Sequence, residues 1–205
     1  MTRSMTYTLL PEGSSDATLI TIINWTIAQC KPHLSFTPQL AKNLGKVGTS
    51  LRDKIPAALR AFPCDLLFVH RDADSQGHDV RLAEIRSALD HAHTNWVPII
   101  PIKMTEAWLL SNEVAIREAA GNRNGTLQLT LPPKKKWEDI SDPKQALFDA
   151  LTKASEKSGR ALQKFRPEER RPRVAELTQD FSTLRGLKSF DHFESALRAQ
   201  LQDIT

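Results

Sequence analysis

The run DLLFVH, residues 65 to 70, constrains this chain more than any other stretch. Leu66, Leu67, Phe68 and Val69 follow one another without a polar break, between Pro63 and the polar loop RDADSQG. The run is too short for a core helix and lacks the alternation of a strand wetted on one face. It reads as a strand buried on both faces, and such strands belong to parallel sheets covered by helices on either side.

The flanking segments repeat that grammar. Residues 6 to 10, TYTLL, predict a strand stopped by Pro11 and Gly13, and ATLITIINWTIAQ predicts a buried helix capped by Ser14, Ser15 or Asp16. VRLAEIRSALDHA, residues 80 to 92, spaces its apolar residues as an amphipathic helix. WVPIIPIKM, residues 96 to 104, reads as a strand that Pro98 and Pro101 push towards an edge. SLRDKIPAALRAF, residues 50 to 62, has helical spacing with a kink or break demanded at Pro56, and TEAWLLSNEVAIREAA predicts one or two helical pieces. Residues 32 to 48 show no clean period, although SFT suits a short strand. The alternation of strand, loop and helix implies an α/β fold: a mostly parallel sheet flanked by helices, with right-handed crossovers.

Beyond residue 120 the pattern changes. LQLTLPP suits a small strand, a helix begins near Pro143 with Asp142 as its cap, FRPEERRPR reads as a polar loop, and RVAELTQDFSTLRGL and SFDHFESALRAQL suit two closing helices. The expected organisation is a core over residues 1 to 120 and a mainly helical C-terminal extension over residues 121 to 205. At 205 residues the chain suits one substantial core with such an appendage. Cys30 and Cys64 are far apart, which argues against a zinc site or a disulfide framework. No segment reaches the ~18 apolar residues of a membrane helix and the start lacks a signal peptide, so a cytoplasmic protein with no membrane partner is expected.

Ligands of open parallel sheets gather at the carboxyl ends of the strands. Glu12, Asp72, Asp74 and Glu106 each follow a predicted strand and are expected at that pole. An aspartate pair spaced D-x-D supplies hard oxygen ligands that suit Mg²⁺ or Mn²⁺. Glu12 adds a third carboxylate, Gly13 permits a tight turn, and a helix starting after that glycine offers amide groups to an anion. These features agree on a metal-dependent phosphoester site.

Glu12-Gly13 after the first strand, with Asp72 and Asp74 after a later apolar strand, resembles the Toprim fold of topoisomerases, bacterial primases, recombination proteins and the overcoming-lysogenization-defect nucleases. The resemblance spans about the first half of the chain. It implies that Asp72 and Asp74 bind Mg²⁺, that Glu12 acts as acid, base or ligand, and that Asp16 and Glu106 extend the metal set. Small stand-alone relatives of that kind carry a later acid near a tryptophan, as in TEAW here, and are associated with partner ATPases in defence against phage or plasmids. The single tyrosine, Tyr7, sits in the first predicted strand, which disfavours a topoisomerase, and the missing cysteines disfavour a primase. A nuclease acting on DNA or RNA is the expected catalytic role.

Each signal has a structural alternative. A D-x-D pair also serves turns and caps, and Glu106 suits the first turn of a helix for its dipole alone. Arg71 suits a phosphate contact or neutralisation of the aspartates, His70 is expected to pack at the strand end, and Trp108 to join the core. The net charge of +4 is compatible with a polyanionic partner. Its candidate contacts are Lys134, Lys135 and Lys136 beside Trp137, and a second cluster of Arg166, Arg170, Arg171 and Arg173, both also readable as solvated basic faces. The competing role is a non-catalytic Toprim-like subunit that binds nucleic acid or an ATPase. A phosphatase of the haloacid dehalogenase type is disfavoured because its D-x-D follows the first strand.

Overall fold

The computed structural model describes residues 5–90, 92, 94–202 and 204, together with the backbone but not the side chain of Ser14. The capping role expected of the Ser14 side chain, and His91 within the expected helix over residues 80 to 92, therefore lie outside the described residues. The chain divides into two compact units. One comprises the segment up to Ile102 and the segment from Lys188 onward, and the other is Lys103–Leu187.

The first unit is an α/β layer structure. Strand β1 (Met5–Leu10) leads through a 3-10 turn, Ser14–Thr18, into helix α1 (Leu19–Cys30). Then come β2 (Phe36–Leu40), α2 (Leu51–Ala61), β3 (Leu66–His70), α3 (His78–Leu89) and β4 (Asn95–Ile99). The four strands form an all-parallel sheet in the order β2-β1-β3-β4. The two proline-bearing strands are the edges, with Pro38 on β2 and Pro98 on β4, because a missing N–H is tolerated only where a ladder ends. The uncertain stretch of residues 32 to 48 thus contributes an edge strand. Ser50 caps α2 by accepting from the Asp53 N–H, and the helix runs on through Pro56.

Side-chain alternation sorts the sheet into two faces. Leu10, Leu67 and Val69 meet Ile55 and Ala58 of α2 and Ile85 and Leu89 of α3 in one buried core. On the opposite face Tyr7 lies 5.1 Å from Phe68, ring centre to ring centre, and Phe68 lies 6.3 Å from Phe193. The chain of rings continues through Phe190 to Trp25 of α1. Each such ring contributes about 1.5–3 kcal/mol through burial, with ~0.5–1.5 kcal/mol more for each tilted pair. Phe190 and Phe193 belong to α9 (Lys188–Gln202), which packs on α1 and β4. The last helix, expected within the C-terminal extension, is thus part of the sheet-bearing unit.

The second unit contains α4 (Glu106–Leu109), α5 (Glu113–Ala119), α6 (Pro143–Ala154), α7 (Gly159–Gln163) and α8 (Pro167–Leu177). Helices α5, α6 and α8 pack on one another. Trp108 is buried there, as its expected core role requires, and Asp142 caps α6 by accepting from the Gln145 N–H. Three expectations are corrected. FRPEERRPR enters a helix, since Pro167 stands at its first turn, Glu168 and Glu169 suit its positive end, and Val174 and Ala175 anchor it in the core. That helix stops at Leu177, and only a 3-10 turn, Ser182–Leu184, follows where the helical reading had continued. LQLTLPP forms no strand: the Leu127 N–H donates to the Glu156 carboxylate and its carbonyl accepts from Arg117, so side chains occupy the groups a ladder needs. Among the described residues, no helix is long and apolar enough to cross a membrane.

Candidate functional site at the carboxyl pole of the sheet

From β1 the chain leads first to β2 on one side and later to β3 on the other, so the strand order reverses between β1 and β3. Open parallel sheets form a crevice at that position, outside the strand carboxyl ends. Glu12 follows β1 and Asp72 follows β3 at this reversal. The backbone N–H of Asp72 donates to Glu12 Oε2 at 2.7 Å, which ties the two loops together.

The parity of β3 places a residue that sequence reasoning had set aside. Phe68 faces α1, so His70, two residues on, faces the same way, and it is buried. Its Nδ1 lies 2.9 Å from Asp16 Oδ2 and its Nε2 lies 3.2 Å from Asp72 Oδ1. The second contact pairs the imidazole with an Asp72 oxygen that is itself buried. His70 is therefore the centre of an Asp16-His70-Asp72 bridge. The signal in the sequence was the odd placement of a histidine within an otherwise apolar strand register.

Burial works against a charged imidazole at His70, yet the bonds and charges of Asp16 and Asp72 outweigh it and push its pKa up to about 9. Burial pushes Asp16 upward, but His70, the Gly13 N–H and the Ser15 hydroxyl more than offset this, so its carboxyl lies below the usual range. Asp72 goes the other way. Its burial dominates, His70 pulls against it, and the nearby charges of Glu12 and Asp16 add to the rise.

The remaining loop contacts fix this geometry. Arg71 Nη1 meets Glu12 Oε1 at 3.1 Å and Nη2 meets Glu84 Oε1 at 3.4 Å. Of the two roles weighed for Arg71, neutralisation is realised, but on Glu12 and Glu84. Arg81 donates through Nε to the Asp72 carbonyl and through Nη1 to Glu84. The N–H groups of Arg71 and Ala73 donate to the carbonyls of Ile99 and Pro101, so the loop stays laced to the chain leaving β4. Ala73 is buried in the α2 and α3 core, which explains why a small residue separates the two aspartates. Asp74 lies beyond it, exposed, with a left-handed φ of 45°.

The five carboxylates expected to share a metal are thus differently employed. The Glu12 carboxylate accepts from the backbone N–H of Asp72, the Asp72 and Asp16 carboxylates flank His70, Asp16 also accepts from the Gly13 N–H, and Asp74 faces solvent. Glu106 lies in the second unit, where its Oε1 accepts from Arg171 Nη1 at 2.6 Å with both side chains largely buried. Among the described residues, no group of three or more His, Cys, Asp or Glu side chains could hold a metal ion. The anion seat expected after Gly13 is also corrected: a short 3-10 turn follows instead of an α-helix, and Asp16 occupies the Gly13 N–H.

The basic candidates belong to the second unit. Lys135 and Lys136 are exposed on the 3-10 turn Lys134–Asp139, and Lys134 donates to the Arg185 carbonyl. Trp137 is buried and donates to the Pro132 carbonyl, so it offers no free stacking face. In the second cluster Arg166 caps carbonyls of Gln163 and Phe165, Arg173 pairs with Glu176, and Arg171 is held by Glu106. Arg170 stays exposed. No family model, curated protein or solved structure matches this chain.

Proposed function

We propose that the chain is a Mg²⁺- or Mn²⁺-dependent nuclease or related phosphodiester-processing enzyme, acting in the cytoplasm on DNA or RNA alongside a partner ATPase in defence against phage or plasmids. The observation that carries the reading is the hydrogen bond from the Asp72 backbone N–H to Glu12, which ties the two acidic loops together at the point where the strand order reverses. Their chemistry fits a hard cation, because Mg²⁺ keeps much of its water and is commonly held by one or two carboxylates together with substrate phosphates. Two carboxylates thus suffice without a third protein ligand. Burial first, and then the charges of Glu12 and Asp16, raise the Asp72 pKa, and a cation at this place would relieve that repulsion.

In this reading Glu12 and Asp72 hold the ion, which supplies charge neutralisation at the scissile phosphate and acidification of the attacking water. His70, fixed from behind by Asp16, holds the Asp72 carboxylate in position. Arg71 orients Glu12, whose carboxylate is also placed to move a proton. Asp74, at the exposed rim of the loop, faces solvent where substrate arrives, and within the second unit Lys135, Lys136 and Arg170 are exposed cations suited to backbone contacts of their own.

A second reading, a non-catalytic subunit that binds nucleic acid or an ATPase, is favoured by the way Arg71 and His70 already neutralise Glu12 and Asp72. Labelled single- and double-stranded DNA and RNA, incubated with Mg²⁺ or Mn²⁺ and either the natural chain or a Glu12→Gln, Asp72→Asn variant, separates the two. Cleavage that falls at least ~100-fold in the variant supports the enzyme. Absence of cleavage by the natural chain, with and without an added ATPase partner, supports the binding subunit.

A further inference from the structure

We propose that the cleft beside Glu12 is a subsite for the sugar-phosphate backbone of a nucleic acid, with Lys42 and Lys54 as its phosphate contacts. The inference rests on reading the acidic pole as a phosphodiester-processing centre and names how substrate is held there. The cleft has a volume of about 320 Å³ and runs between Glu12-Gly13 and the loop that follows β2, with Lys54 of α2 contributing to its lining. That volume lies at the lower end of the ~300–1,000 Å³ usual for ligand clefts. It suits one nucleotide of a strand rather than a whole duplex.

The sheet register explains why a carboxylate and an ammonium become neighbours. Strands β1 and β2 run parallel with Leu9 opposite Leu40, and the Ala41 N–H extends the ladder to the Leu9 carbonyl at 2.9 Å. By that register Lys42 leaves β2 beside Pro11, one residue before Glu12, and both residues line the cleft. The loop then turns back through left-handed conformations at Asn43, φ 54°, and Gly45, φ 77°, which leaves an open trough beside the strand ends.

Charge supplies the ligand class. Among the described residues Glu12 is the sole acid lining the cleft, and Arg71 already neutralises it. Lys42 is exposed and Lys54 half-buried, and neither side chain makes a hydrogen bond or ion pair among the described residues. Arg71 and Arg81, on the loop after β3 and on α3, are both spent on Glu84 and neighbouring loop groups. The two lysines thus give the cleft a surplus of positive charge next to the carboxylates that would act on a phosphodiester, and a chain of phosphates matches both signs.

The test is binding in EDTA, where no cleavage occurs, of labelled single- and double-stranded DNA and RNA, read by fluorescence anisotropy over a salt series. The variant is Lys42→Ala with Lys54→Met, the methionine keeping the half-buried stem packed. The control is Lys46→Ala, from the same loop but outside the cleft lining. Loss of two phosphate contacts lowers the slope of log affinity against log salt by about 1.4 for a single strand and 1.8 for a duplex, which is about 25- to 60-fold weaker binding at about 0.1 M relative to 1 M salt. Lys46→Ala is expected to bind like the natural chain. Equal affinity and slope in the double variant, an equal loss in Lys46→Ala, or failure of the natural chain to bind any of the four nucleic acids each overturns the subsite. Lysine-dependent binding without Mg²⁺- or Mn²⁺-dependent cleavage supports the subsite and rejects only the enzymatic reading of the pole.

Discussion

Replacing His70 by asparagine tests whether the Asp16-His70-Asp72 bridge holds the site together. In the folded chain the imidazole titrates near 9, against 6.5 when unfolded. At about 1.4 kcal/mol per pH unit the difference is worth about 3 kcal/mol, at the lower end of the ~3–5 kcal/mol lost when one partner of a buried pair is removed. Because the folded state binds the proton more tightly, this stabilisation is complete below the unfolded value and disappears as pH rises through the folded one. Urea unfolding in EDTA, followed by tryptophan fluorescence and far-ultraviolet circular dichroism, measures it. At about pH 6 the variant should be about 3 kcal/mol less stable than the natural chain, and the gap should close to under about 1 kcal/mol by about pH 9.5. The Cys64 thiol, which burial also pushes up, is common to both chains and cancels in the difference. Parallel stability curves, or a natural chain that gains stability between about pH 7 and 9, would refute the charged bridge.

Removing Arg171 as alanine strands the buried Glu106 carboxylate and should lower stability by about 3–5 kcal/mol in the same urea assay, whereas Glu106→Gln with Arg171→Met should recover most of it. Tyr7 is the single tyrosine, and burial raises its pKa. An ultraviolet titration should therefore show no tyrosinate through about pH 10 until the protein unfolds, and ordinary titration near 10 in the folded state would contradict its burial. Gly77, with φ 83° and ψ 160°, occupies backbone space open essentially to glycine, so Gly77→Ala should cost about 1–3 kcal/mol and loosen the loop carrying Asp72; an unchanged unfolding midpoint would argue against that strain.

Much of the fold follows from patterns local to the chain. An uninterrupted apolar run at Leu66–Val69 has no solvent-facing side, which selects a sheet covered on both faces. Pro98 placed its strand at an edge for the same local reason, a missing donor, and glycine and proline after β1 marked where the first turn must fall. Asp142 was legible as a cap because a helix beginning at proline needs an acceptor just before it. FRPEERRPR misled because its charge masked two buried residues, Val174 and Ala175, whose partners lie elsewhere in the chain.

What composition and periodicity determined by themselves was a parallel α/β sheet with acidic loops after β1 and β3. Only the tertiary structure decided how those acids are used. Strand parity aims His70 at Asp16, the reversed strand order brings Glu12 to the Asp72 amide, and packing in the second unit gives Glu106 to Arg171. Local sequence sets which backbone a segment prefers, but the partner of a charge depends on residues tens of positions away, and their approach is fixed only when the strands register and the helices close over them.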